Sequence, residues 1–355
     1  MWQRHSAFFI DFLKLFAIFD PMEKNRLKAI GLLSGGLDSS LALKIILDLG
    51  IEVVCLNLKT PFCTCDGKGR CSSSELSEKF NLRLIRIFGG EDYLKIIKNP
   101  KYGYGKNMNP CIDCRIFLFS KAKELMEKEK ADFVFTGEVL GERPMSQRRD
   151  AMKLIEKQSG LSGLVLRPLS AQLLEPTIPE KDGWIQREKL LAIKGRSRKP
   201  QISLAENLGI SNYPCPAGGC LLTDLNFAKR LKDSFLHNED SLRDIGFLKI
   251  GRHFRLPSGA KVIAGRDEAE NKLLVNLSSP EELKFTVEGF KSTFCLLLGE
   301  KTKENQVFAS TVCAKYCDRK DLDTLPVKIW TQKEDKFTIL YAKPLDDKKL
   351  EPYRI

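Results

Sequence analysis

The sequence lacks a bilayer-spanning segment. Its most apolar early stretch, AFFIDFLKLFAIF (residues 7–19), is too short to span and carries Asp11 and Lys14, so no membrane partner is expected. The same stretch is without the small-x-small cleavage site of a secretory leader. Eleven cysteines would suggest a disulfide framework in a small secreted domain. In a chain of 355 residues without such a leader they read as thiols of a cytoplasmic protein. Internal repeats and long low-complexity tracts are absent too. MEKNRLKAIGLL leads straight into the first apolar strand. That makes Met22 the expected natural start, residues 1–21 dispensable and residues 1–26 an N-terminal extension.

With 43% apolar and 29% charged residues, the chain reads as soluble, globular and long enough for two or three domains. A net charge of +12 and a pI near 9.1 favour a polyanionic partner, although a lysine-rich soluble surface gives the same total.

AIGLLSGGLDSSLALKI (residues 29–45) runs an apolar strand into a small-residue loop and then a helix. LKAIGLL (27–33) suits a strand buried on both faces of a parallel sheet, and LALKIILDLG has helical spacing that stops at Gly50. Between them, Ser34, Gly35 and Gly36 let backbone N–H groups form an anion cradle at a helix N-terminus. Ser39 and Ser40 would add hydroxyl donors there. Asp38 is out of place beside a phosphate unless a metal ion intervenes, which assigns it to Mg²⁺. The Walker pattern G-x-x-x-x-G-K-[ST] does not occur here. SGGLDSS instead resembles the PP-loop of ATP pyrophosphatases, which cleave ATP between the α and β phosphates and adenylate a carbonyl oxygen. The plain alternative is an ordinary glycine turn before a helix.

IEVVCLNL (51–58), LRLIRIF (82–88) and ADFVFTGE (131–138) supply three further strands, separated by helical segments. The expected fold is α/β, a doubly wound parallel sheet of the PP-loop, adenine nucleotide alpha hydrolase type over 27–225. A smaller α+β domain is expected over 226–355. Ligands bind at the carboxyl ends of such strands, so Thr136 and Gly137 are expected to face the nucleotide.

TGEVLGERPMSQ (136–147) resembles the loop of tRNA 4-thiouridine synthetases. NPCIDCRIFLFSKAKELM (109–126) resembles the Asn-Pro-x-x-x-Cys segment of tRNA 2-thiouridylases, whose final cysteine is catalytic; here it is Cys114. PCPAGGCLLTD (214–224) stands, by order along the chain, where 2-thiouridylases carry a second active cysteine, and Cys220 is the match. The resemblance implies an ATP-dependent tRNA sulfurtransferase with Asp38, Cys114 and Cys220 as catalytic residues. Its partners would be tRNA and a sulfur donor, either free sulfide or a persulfide carrier protein. The C-terminal portion does not read as the thiouridylase β-barrel. A PP-loop ligase or amidotransferase acting on a small carbonyl substrate is a rival reading, and a non-catalytic nucleotide- and RNA-binding protein is another.

Cys111 and Cys114 form a C-x-x-C at the start of an amphipathic helix, where the helix N-terminus would lower thiol pKa. With the remote Cys220 they allow several readings. The three could hold three irons of a [4Fe–4S] cluster and leave one iron open. Cys114 could carry a persulfide that Cys220 resolves as a disulfide. They could also be a structural zinc site or inert core thiols. PFCTCDGKGRCSS (61–73) sets Cys63, Cys65 and Cys71 in a polar loop. They suit a second metal knuckle for Zn²⁺ with Cys215 as fourth ligand, a sulfur relay or a reducible disulfide. Cys55 and Cys295 lie in apolar runs and read as core.

Residues 141–200 hold thirteen Lys or Arg against seven Asp or Glu. Arg143, Arg148, Arg149, Arg196, Arg198 and Lys199 in this run are expected to neutralise RNA phosphates. FLKIGRHFRLPSGAKVIAGRDEAENKLL (247–274) reads as a hairpin followed by a helix and resembles the RNA-binding module of the NFACT family through IAGRDEAEN. Arg252 and Arg255, together with His253, Lys261 and Arg266, are candidate phosphate contacts. The competing reading is a small packing or dimerisation domain, which leaves a homodimer open.

Overall fold

The computed structural model describes residues 27–64, 72–210, 220–318, 322–334 and 336–355. Cys65, Cys71, Cys215 and the N-terminal extension lie outside the described residues.

Five strands build the first sheet: β1 (Lys28–Leu32), β2 (Glu52–Lys59), β3 (Arg83–Phe88), β4 (Phe133–Thr136) and β5 (Val165–Leu166). All neighbours run parallel, in the order β3-β2-β1-β4-β5. The chain fills the sheet outward from β1 to β3, then returns to lay β4 on the other side of β1. The crevice between β1 and β4 is therefore the topological switch point, where an open α/β sheet takes its ligand. Leu32 pairs with Thr136, which brings the loops after these two strands side by side.

The connecting helices are α1 (Leu37–Asp48), α2 (Ser72–Lys79), α3 (Glu91–Lys98), α4 (Cys111–Glu129), α5 (Arg149–Ser159), α6 (Ile178–Lys181) and α7 (Lys199–Asn207). Period-two alternation divides the sheet between two cores. Ala29, Phe133 and Phe135 pack with Ala42, Leu43 and Ile46 of α1. Ile30, Leu32 and Val134 pack on the other face with Phe119 and Leu125 of α4 and Ile155 of α5. A strand covered on both faces reads as an unbroken apolar run, which is why LKAIGLL is legible.

Two helices after Cys220, α8 (Leu225–Leu236) and α9 (Leu242–Phe247), correct the expected boundary at 225/226. Phe227, Leu231, Ile245 and Leu248 share a core with Phe62, Tyr93, Leu94 and Ile97. By packing, the first domain extends to about residue 250. The second domain is a six-stranded antiparallel sheet of β6 (Arg252–Arg255), β7 (Lys261–Ala264), β8 (Leu283–Val287), β9 (Cys295–Leu298), β10 (Leu325–Trp330) and β11 (Phe337–Ala342). Its order is β11-β10-β8-β9-β7-β6. Helix α10 (Glu268–Leu277) follows the β6–β7 hairpin, and α11 (Lys303–Lys315) buries Ala309, Val312 and Cys313 against the sheet. Among the described residues no helix is long and apolar enough to cross a membrane.

Charge locks the two domains together. Arg255 on β6 pairs with Asp233 of α8 at 2.5 Å and with Glu239 at 2.7 Å, and buried Lys261 reaches Glu239 as well. Burial opposes the Glu239 charge, but hydrogen bonds from Arg255 and Lys261 prevail and hold its carboxyl below the usual range.

Candidate active site

The loop after β1 is shaped by close approach. Gly35 has φ +78°, and a Cβ there would lie 2.5 Å from the Ser73 nitrogen, because the first turn of α2 rests on the loop. Gly137, just after β4, would place a Cβ 2.4 Å from the Asp38 carbonyl carbon. The β4 loop thus lies directly against the backbone of Asp38, and Thr136 behind it is buried.

The serines divide their work differently from expectation. Ser39 and Ser40 donate their hydroxyls to the Gly36 carbonyl at 2.9 and 3.0 Å and are buried. They brace the cradle from behind. Ser34, exposed, accepts from the Gly36 N–H at 3.3 Å and is the hydroxyl that faces outward. Asp38 Oδ2 accepts from Arg198 Nη2 at 3.0 Å, while Oδ1 is buried with no hydrogen-bond partner among the described residues. A buried carboxylate oxygen left free is the donor a hard cation seeks. Asp38 therefore fits a Mg²⁺ ligand, and the small-residue loop before it fits a polyphosphate.

Four thiols converge beside this loop. Asn107 Nδ2 donates to the Thr223 carbonyl at 2.8 Å, and the Met108 N–H to that of Leu222 at 3.1 Å. These bonds hold the segment bearing Cys220 against the loop that enters α4. Asp113 in the first turn of α4 accepts from the N–H groups of Lys101 and Tyr102 at 2.9 and 3.1 Å, which fixes that loop. Cys111 and Cys114 sit on this turn. Cys63 meets Cys220 across an isolated antiparallel bridge. Cys63 is thereby brought to the same place as Cys220; the expected partners Cys65 and Cys71 of its knuckle lie outside the described residues. Thr60 donates to the Cys63 sulfur from its N–H at 3.3 Å.

The expected acidification of the C-x-x-C thiols is reversed. Burial pushes up both Cys111 and Cys114 and takes Cys220 to about 12. Desolvation of a thiolate outweighs the helix N-terminus here. Tyr93 of α3 donates its hydroxyl to the Cys114 sulfur at 3.1 Å and partly offsets the burial. No sequence spacing pointed to Tyr93. Among the described residues no three Cys, His, Asp or Glu side chains are arranged to hold a single metal ion. Three thiols from two segments do have the donor chemistry of an iron–sulfur cluster.

The thiol site and the phosphate loop share one edge of the sheet. Arg115, next to Cys114, lies 3.4 Å from Glu138, the residue after Gly137. Buried Arg167 holds the same Glu138 at 3.1 Å and Glu156 at 2.5 Å.

The expected RNA contacts separate into two groups. Arg143, Arg148, Arg149, Arg196 and Lys199 are exposed, with Arg148 loosely paired to Asp150 at 3.3 Å. Arg252 is half-buried over the Tyr316 ring, and Arg266 is exposed but held by Glu270. Arg198 turns inward to Asp38, and Arg255 and Lys261 are consumed by the domain lock. His253 is fully buried with Nε2 on the Ile250 carbonyl at 2.8 Å. Ion pairing and burial remove these four from an RNA surface.

Residues 25–173 match the family model of the thiamine biosynthesis protein (ThiI), and residues 251–354 match that of the NFACT protein RNA binding domain. Among curated relatives, the tRNA-specific 2-thiouridylase MnmA of Leptospira biflexa is 28% identical over 29% of this chain and 32% of its own length. That of Leptospira interrogans is 29% identical over 28% and 31%. The chain thus spans about a third of the length of these relatives. A solved 4-thiouridine synthetase–RNA complex with bound ATP is similar at 22% identity, covering 52% of this chain and 51% of that one, with a TM-score of 0.33. The U34-tRNA thiolase NcsA from Methanococcus maripaludis with its [4Fe-4S] cluster is similar at 16% identity over 65% and 74%, with a TM-score of 0.31. One chain therefore joins a ThiI-type segment at 25–173 to an NFACT-type RNA-binding segment at 251–354.

Proposed function

We propose that this chain is an ATP-dependent tRNA sulfurtransferase that makes a thiouridine. The observation that carries the reading is the meeting of two chemistries at one sheet edge. The phosphate loop at Asp38 and the thiols at Cys111, Cys114 and Cys220 are linked through Gly137, Glu138 and Arg115. A small-substrate ligase would use the loop and leave the thiols idle.

The loop N–H groups and Ser34 would hold the ATP phosphates, with Mg²⁺ on Asp38 Oδ1. A uridine carbonyl oxygen attacks the α-phosphorus, a P–O bond forms and pyrophosphate departs. Preorganised loop donors stabilise the charge that develops on the phosphate oxygens. The target base has to leave its stack for its carbonyl carbon to be reached. Sulfur presented from the thiol site then attacks that carbon, and AMP leaves. Cys111, Cys114 and Cys220 would be the ligands of a [4Fe–4S] cluster, which when bound supplies an open iron for sulfide. Exposed Arg143, Arg148, Arg149, Arg196 and Lys199 would take tRNA phosphates beside the site, and the C-terminal sheet would extend that surface through Arg252.

The test uses anaerobically purified protein with ATP, sulfide and unmodified tRNA, followed by nucleoside analysis and assay of AMP and pyrophosphate. Thiouridine formed with AMP, and lost in Asp38→Asn and Cys114→Ser, is the expected result. ADP as the nucleotide product, or thiolation that survives both substitutions, overturns the proposal. Iron content and visible absorbance of the same sample decide the cluster.

A further inference from the structure

Three cations line one cleft where the two domains meet. It has a volume of about 470 Å³ and is walled by Arg230 of α8, Lys249 after α9 and Arg266 after β7, with Cys63 and Asp224 beside them. Arg230 and Lys249 belong to the first domain and Arg266 to the second, so a ligand seated here touches both. Cys63 faces Cys220, which places the cleft next to the thiol site.

The positive charge of the cleft is not balanced from within. Arg230 Nη1 donates to the Leu248 carbonyl at 3.1 Å, an acceptor without charge, and its Nε is buried with no hydrogen-bond partner among the described residues. Asp224 is committed to the N-terminus of α8, where its Oδ1 accepts the Phe227 N–H at 2.7 Å. Glu270 holds Arg266 through Nε and Nη2, which leaves Nη1 outside that pair. Lys249 is exposed. Burial, then the Arg266 charge, push the Arg230 guanidinium below its ordinary range, and Asp224 and Glu270 offset only part of this. Two guanidiniums that repel one another across a half-buried cleft are stabilised by an anion between them. Their planar forks suit the oxygens of a phosphate.

We propose that this cleft is a phosphate site for the tRNA backbone, with Arg230 and Arg266 clamping one phosphate and Lys249 at its mouth. The proposal rests on the sulfurtransferase reading above and adds to it the place where the RNA strand is held. The NFACT RNA-binding segment begins at residue 251, directly after Lys249, and includes Arg266. That continuity favours RNA over a small phosphate compound as the occupant. A phosphate fixed beside Cys63 sets its nucleotide next to the thiols. The ion pair of Arg255 with Asp233 lies one turn along α8 from Arg230. The bonds that join the domains therefore also fix the separation of the two halves of the clamp.

The test measures binding of unmodified tRNA to the full chain over a series of salt concentrations. Loss of one phosphate contact lowers the slope of log affinity against log salt by about 0.7–0.9. Arg230→Gln is expected to lower the slope by that amount and to weaken binding about tenfold. Arg266→Gln should do the same. The double variant should lose no more slope than either single one, because both side chains hold one phosphate. Lys249→Glu changes only an exposed side chain and should weaken binding about tenfold, so it decides the matter if Arg230→Gln folds poorly. Lys128→Glu, roughly 25 Å from Cys111 at the far end of α4, should leave binding unchanged. Inorganic phosphate forms the second arm, and it should compete with tRNA for the unsubstituted chain. Slopes and affinities that ignore all three cations overturn the clamp and leave the sulfurtransferase reading standing. Phosphate that raises the melting temperature through Arg230, with tRNA binding indifferent to it, makes this a small-phosphate pocket and overturns the RNA assignment. Fully additive losses in the double variant overturn the shared phosphate. Lowered slopes in a protein that forms neither pyrophosphate nor thiouridine uphold the clamp and count against the sulfurtransferase reading alone.

Discussion

Arg198 Nη2 lies 3.0 Å from Asp38 Oδ2, across 160 positions of sequence. Glu142 stands 3.9 Å from the same guanidinium, its carboxyl pushed up by burial and by the nearby Asp38 charge. Arg198 is thus the cation that balances two carboxylates at the mouth of the phosphate loop. Arg198→Ala leaves both carboxylates facing the ATP phosphates. ATP affinity is expected to fall about tenfold, equivalent to about 1.4 kcal/mol, by nucleotide titration. Lysine at this position should restore part of the loss, since it keeps the charge and loses the planar fork. Unaltered ATP binding with weakened tRNA binding would return Arg198 to the RNA surface.

Gly137→Ala tests the contact between the β4 loop and Asp38. A methyl group placed 2.4 Å from the Asp38 carbonyl carbon has no flexible side chain to displace, only backbone. Overpacking of this kind costs about 1–3 kcal/mol. The loop is expected to shift, with ATP binding lost and a lower melting temperature. Full ATP affinity in a folded Gly137→Ala protein would show that the two loops do not press on one another.

What was legible in the sequence was local. SGGLDSS lies between an apolar run and a helical pattern, and the C-x-x-C opens the next such pattern, so strand, loop and helix could be read together. The parallel sheet, with its ligand end at the carboxyl termini of the strands, followed from strands separated by helices, whereas the switch point needed the observed strand order. What could not be read was long-range. Nothing in PFCTCDGKGRCSS tells that Cys63 will face Cys220, because the bridge depends on how Phe62 and Leu222 enter a shared core. Arg255 reads as a surface cation until α8 and Glu239 close over it. The helix N-terminus at Cys114 is a local signal as well, and burial by distant chain overrode it.

His253 makes stability depend on mild acid. Burial, then Arg230 and Lys261, hold its pKa well below the ordinary 6.5, and its Nδ1 is buried without a partner. Arg255 adds to the same repulsion. A depressed histidine favours folding while it is neutral. That contribution is complete above 6.5 and is lost as pH falls from there toward the folded-state value. The denaturation midpoint is therefore expected to drop between pH 7 and pH 5, and His253→Gln should flatten that drop. Equal slopes in the two proteins would assign the acid sensitivity elsewhere.

Tyr93 governs the Cys114 thiol from below. Burial, then Cys114, push the Tyr93 phenol far above its ordinary range, so it remains a hydrogen-bond donor throughout the working pH range. Cys114 is raised by burial and drawn back by that donor. Tyr93→Phe removes only the hydroxyl and keeps the ring that packs against Phe62 and Phe117. The loss of one hydrogen bond costs about 0.5–1.5 kcal/mol, little enough for the fold to persist. The thiolate loses its stabilising O–H, so the Cys114 pKa must rise further, and the pH at which iodoacetamide labels it at half-maximal rate should move upward. Peptide mapping separates Cys114 from its neighbours in that assay. A profile that stays in place, or moves down, would mean that the hydroxyl does not point at the sulfur in solution.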